Sequence, residues 1–128
     1  MNQLVADLLA VLRSHQLVRS VRIVTFDETP AGRLELKVRC QLAPPYQLQV
    51  WLHTEPRTLD YAYQLFVQTP LLRWDNAPHY PNVATAPHHF HDEQNNVGES
   101  PLRGDPRRDL PLVLKELTVW LQQRQAAP

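Results

Sequence analysis

Cysteine is almost missing from this chain. Cys40 is the only one, so there can be neither an intrachain disulfide nor a cysteine-ligated zinc site. Glycine is nearly as scarce, three in 128 residues and scattered, which leaves no glycine-rich loop to cradle a nucleotide phosphate. No GxSxG is present, so a nucleophile-elbow hydrolase is excluded. No HExxH is present, so the helical two-histidine zinc hydrolases are excluded too. Net charge is also lacking: thirteen Lys and Arg balance thirteen Asp and Glu. A general nucleic-acid coat protein needs a net positive surface, so any phosphate recognition here has to be local. No apolar run is long enough for a membrane. "LVADLLAVL" is broken by Asp7, lacks a basic leader and falls short of a bilayer's thickness. The expectation is a protein of the cytoplasm, with no membrane partner, from a bacterium.

What is present is an ordinary globular composition, 43% apolar in 128 residues, which suits one domain spanning residues 1–128 with a single core. In "NQLVADLLAVLRSHQ", Leu4, Val5, Leu8, Leu9, Val11 and Leu12 recur at helical spacing with Asn2 as cap, predicting a helix over 3–15. "VRSVRIVTFDE" reads as a strand closed by the turn signal "TPAG". "RLELKVRCQL" alternates strictly: Leu34, Leu36, Val38, Cys40 and Leu42 face one way and Arg33, Glu35, Lys37, Arg39 and Gln41 the other. Cys40 thereby reads as a packing residue rather than a nucleophile. "YQLQVWLHT" and "LDYAYQLFVQ" continue the alternation, "LRWD" is a short strand, and "VATAPHHFH" is a last edge strand, because its prolines would damage a central one. "EQNNVGESPLRGDP" reads as loop. A closing helix follows, capped by Asp109 and striped by Leu110, Val113, Leu114, Leu117 and Leu121. The sum is an α+β fold, an antiparallel meander sheet of five or six strands covered on one face by an N-terminal and a C-terminal helix.

The uncovered sheet face carries the first functional signal. Arg33, Lys37, Arg39, Gln47, Gln49, Trp51 and His53 fall side by side on it. A basic face with an exposed aromatic suits a single nucleic-acid strand; a merely solvated face would look similar.

The second signal is "RWDNAPHYPNVATAPHHFHD", residues 73–92, which holds four of the six histidines, interleaved with Pro78, Pro81 and Pro87. Metal-free RNA cleavage needs one group to take the 2′-hydroxyl proton, another to protonate the leaving oxygen, and a cation near the phosphate. Arg73, His79, His88, His89 and His91 include those types, Asp75 can orient an imidazole, and Asn76 can hold the turn. His79 with one of His88, His89 or His91 is the expected acid–base pair, and Lys37, Arg39, Trp51 and Asn76 the expected substrate contacts. Two other readings compete. "HFH" on a strand points His89 and His91 the same way, as metal ligands would, with His79 or Asp75 as a third. A proline-stiffened edge with exposed histidines is the bland alternative.

"RWDNAPHYP" followed by "PHHFH" resembles the signature of the TumE family, toxin components of bacterial toxin–antitoxin pairs. The likeness extends to the small size and the helix–meander–helix order. It implies an antitoxin partner, often a helix-turn-helix protein, and growth inhibition through RNA. The combined expectation is a toxin acting as a metal-independent ribonuclease without cofactor, able to form a homodimer. The alternatives are a non-enzymatic protein-interaction module and a small enzyme with a histidine-bound metal.

Overall fold

The structure, a computed structural model, describes residues 2–126. Over these residues the chain runs as helix α1 (Gln3–Ser14), seven strands and helix α2 (Pro106–Ala126). The strands are β1 (Ser20–Glu28), β2 (Leu34–Gln41), β3 (Gln47–Glu55), β4 (Thr58–Phe66), β5 (Pro70–Asp75), β6 (His89–His91) and β7 (Val97–Gly98). They form one antiparallel sheet in the order of the sequence. The sheet thus has seven strands where five or six were expected. The extra one is β7, two residues inside a segment whose Asn, Gly and Ser content reads as loop. So short a strand has no periodicity of its own and exists only because β6 offers it an edge. The expected "VATAPHHFH" strand shrinks to its last three residues, the rest being turns.

The alternation of β2, β3 and β4 sorts their side chains as expected. Leu34, Leu36, Val38, Cys40, Leu48, Val50, Leu52, Tyr61, Tyr63 and Leu65 are buried in one cluster with Leu8, Leu12, Leu114 and Leu117 of the helices. A one-residue slip would reverse every one of these side chains, so the register is strongly specified. Burial pushes the Cys40 thiol up to about 12, as befits an inert packing residue.

Asn2 caps α1 as expected, accepting from the Leu4 and Val5 amides. Asp109 has a different role. The helix begins three residues earlier, at Pro106, where the missing N–H costs nothing. The fully buried Asp109 carboxylate turns back to accept from the amides of Arg103, Gly104 and Asp105. It pins the incoming loop as well as the helix start. Among the described residues no helix is long and apolar enough to cross a membrane.

Candidate functional site

The register of the last strands sorts the histidine segment onto two faces. Trp74 pairs with Phe90, their rings 4.9 Å apart, and Trp74 lies in the core. Arg73 pairs with His91 and Asp75 with His89, so these four share the opposite, outer face.

Asp75 is their centre. Its side chain is 5% exposed. Oδ1 accepts from the Ala77 amide at 2.9 Å and lies 2.9 Å from His89 Nε2. Oδ2 accepts from Arg73 Nε at 2.7 Å and lies 3.6 Å from His91 Nε2. A buried carboxylate is tolerable only when paired and hydrogen-bonded, and here both oxygens are. Arg73 is held from its other side by Gln64 Oε1, 2.8 Å from Nη1.

His89 is buried, and its partners fix its hydrogens. Nδ1 sits 2.9 Å from the Pro87 carbonyl, which can only accept, so Nδ1 carries a hydrogen. Nε2 faces Asp75. His91 differs in being partly open to solvent. Burial pushes its pKa below the usual 6.5, with Asp75 pulling upward and the nearby His89 and Arg73 pushing further down. It is a neutral imidazole near pH 7, able to take a proton.

The loop between β5 and β6 folds back over this cluster. Tyr80 sets its ring 4.7 Å from that of His89 and 5.6 Å from that of His91. Sequence reasoning missed Tyr80, because a tyrosine between two prolines carries no catalytic signature.

The remaining candidates are not among the side chains paired with Asp75. His88 points to the other side of the strand, its Nδ1 2.8 Å from the Tyr61 hydroxyl and the two rings stacked. Burial lowers its pKa first, Asp109 raises it and His89 lowers it again. It is not brought to the Asp75 cluster. Tyr61, also missed, reads in sequence as one more core position. His79 is exposed in the turn before Tyr80. The Asn76 amide is spent on backbone, accepting from Tyr61 N and donating to Leu59 O, which extends the β4–β5 pairing past its last residue pair.

On the outer face, Trp51 donates to Glu35 at 3.4 Å and Arg39 to Gln49 at 2.9 Å. Two cavities flank Arg73. One of about 270 Å³ is lined by Trp51, Arg73, Asp75 and Pro78, and the other, about 420 Å³, by Gln64, Arg73 and His91. Trp51 and Asp75 thus meet around one space although they are far apart in sequence.

Asp75, His89 and His91 also present one ligand atom each within 4.8 Å of one another, near enough to share a small divalent ion. The guanidinium on Oδ2 and the amide on Oδ1 compete with that use.

A small open-sheet α+β protein with a histidine–arginine–aspartate cluster on its uncovered face is the class these features define. The chain belongs to the TumE toxin family, whose model, described as Toxin TumE, matches residues 8–121. No curated protein and no solved structure matches it.

Proposed function

We propose that this toxin is a metal-independent ribonuclease working in the cytoplasm and held in check by a cognate antitoxin, which its toxin family implies. The observation that carries the reading is the buried Asp75, which anchors His89, His91 and Arg73 together on the open face. His91 is the one histidine that combines contact with this cluster and access to solvent. It takes the proton of a ribose 2′-hydroxyl. The 2′-oxygen attacks the adjacent phosphorus, the bond to the 5′-oxygen breaks, and His79 gives that oxygen its proton, leaving a 2′,3′-cyclic phosphate. His79 precedes Tyr80, whose ring already packs on His91. Arg73 stabilises the charge that builds on the phosphate. Asp75 and His89 are positioning residues, since neither reaches solvent.

The test uses protein freed of antitoxin, incubated with RNA, with His91→Ala as control. Expected are products ending in a 2′,3′-cyclic phosphate, no cleavage of DNA, and a loss of roughly a hundredfold or more in the variant. Equal cleavage by both proteins points to contamination and leaves the reading without support. The non-enzymatic alternative draws on a different observation: edge strand β1 leaves Ile23, Val24 and Phe26 exposed. A protein that only sequestered a partner would lose toxicity through Ile23→Lys and keep it through His91→Ala.

A further inference from the structure

Outward side chains on neighbouring strands fall into rows that cross the sheet. Arg22 pairs with Arg39, Arg39 with Gln49, Gln49 with Gln64, Gln64 with Arg73, and Arg73 with His91. One line of side chains therefore runs from the β1 edge to the histidine cluster, and it contains no acid. Two hydrogen bonds already tie it together, Arg39 to Gln49 and Arg73 to Gln64. The next row along the strands includes Lys37 and Trp51 and ends in Asp75 and His89. The row beyond is acidic, with Asp27, Glu35 and Asp60. On the other side of the arginine row stands Phe66, with the Arg39 guanidinium 6.0 Å from its ring. A chain without net charge thus sorts its outer face into a positive stripe flanked by aromatics and a separate negative stripe.

We infer that a single-stranded RNA segment crosses the sheet along this row, perpendicular to the strands. Its phosphates lie on Arg22, Arg39 and Arg73, its bases turn toward Trp51 and Phe66, and the bond to be cut sits at the Arg73–His91 end. The inference rests on the reading that the cluster acts on RNA, and adds a path, a length and a new contact, Arg22. A path along the strands instead would meet the acidic row within about 13 Å of the arginine row, two pleat repeats away. Across the sheet, five strand spacings of about 4.8 Å give a track of roughly 24 Å. That holds on the order of four nucleotides, the low end of single-strand platform sites. Arginine supplies the phosphate contacts and the aromatics supply stacking tolerant of any base.

The experiment measures binding without cleavage, by fluorescence anisotropy with 2′-O-methyl oligouridylates of two, four and eight nucleotides. Affinity should rise steeply from the dimer to the tetramer and change little beyond it. Arg22→Gln should weaken tetramer binding by about tenfold and lower the slope of log affinity against log salt by about 0.7, the contribution of one phosphate contact on a single strand. Arg57→Gln, the same charge change in the β3–β4 turn, should bind as the unmodified protein does. Row-dependent binding without cleavage of unmodified RNA would retire the catalytic reading and leave the path standing. Cleavage with unaltered binding by Arg22→Gln and Arg39→Gln, or equal losses in Arg57→Gln, would overturn the path alone.

Discussion

The β1–β2 end of the sheet and the β5–β6 end fill their outer face in different ways. At the first end the strands are nine and eight residues long. Their polar side chains stand in water or touch one neighbour, as Glu35 touches Trp51. At the other end β5 has six residues and β6 three. Arg73, Asp75, His89 and His91 stand on their outer face, yet Asp75 and His89 are buried, and the returning loop lays Tyr80 against His89. Charged groups belong in water unless each is paired, so burial here is stable only because Asp75 accepts from Arg73, Ala77 and His89 together. Substitution of a polar side chain at the first end should cost the fold little. The second has little slack, as a site that must hold an imidazole in one orientation requires.

The strongest way to break this contrast is to remove the central carboxylate. Asp75→Ala leaves His89 and Arg73 without their acceptor. It should cost about 3–5 kcal/mol of stability, the range for breaking one side of a buried ion pair, and abolish cleavage. Glu35→Ala, the matching change at the β2 end, should stay within about 0.5 kcal/mol. Urea unfolding of both variants decides it. Similar losses would mean that the Asp75 cluster is ordinary surface.

Next in size comes the contrast between His91 and His88, three residues apart on opposite faces. His91→Ala should lower the cleavage rate by roughly a hundredfold or more with little change in unfolding midpoint. His88→Ala should do the reverse. It leaves the Tyr61 hydroxyl, 2.8 Å away and otherwise enclosed, without a partner, for about 1–3 kcal/mol, while the rate holds. A rate collapse in His88→Ala would move the chemistry to the Tyr61 side.

These two histidines also show how far the sequence could be read. Strict alternation over β2 to β4 was enough to name the core residue by residue, because every side chain there answers only to the pleat. The candidate site was legible as composition: Arg73, Asp75, His89 and His91 were all named in advance. That His89 and His91 share a face followed from "HFH"; which β5 residues stand opposite them did not. That depends on the register between β5 and β6, and a three-residue strand has too little pattern to fix it. The role of Tyr80 depends on a loop folding back, which leaves no periodic trace. The Asp109 assignment failed for a similar reason: an acid followed by an apolar stripe looks like a cap, but Pro106 at the first helical position was the better signal.

A smaller effect is expected from pH. His88 and His91 both titrate below the usual 6.5 because burial disfavours their charged forms. In the unfolded chain they bind protons at a pH where the folded protein does not, so the unfolded state binds more protons there and stability rises with pH. Their contribution is fully present above 6.5 and is lost as pH falls through the lowered folded values. Melting temperature should decline as pH drops below about 6.5, and His88→Gln and His91→Gln should each flatten that decline. The acid limb of the cleavage profile, set by His91, should likewise lie below 6.5. No change of slope in either variant would remove the buried-imidazole account.

The smallest expected effect is that of chelation, and it sets the two ends of the sheet against each other once more. Asp75, His89 and His91 are near enough to share an ion, whereas the β2 end gathers no comparable set among the described residues. Ion binding, however, would have to displace the Arg73 guanidinium, 2.7 Å from Oδ2, and draw Nε2 of His89 away from Oδ1. A cation gains least where another cation already neutralises its ligand. Dialysis against EDTA should therefore leave melting temperature and cleavage rate unchanged, and added zinc should not raise either. If EDTA lowers the melting temperature and zinc restores it, the bound metal contributes to the folded state. The cluster would then be a metal centre, with His91 a ligand rather than a base.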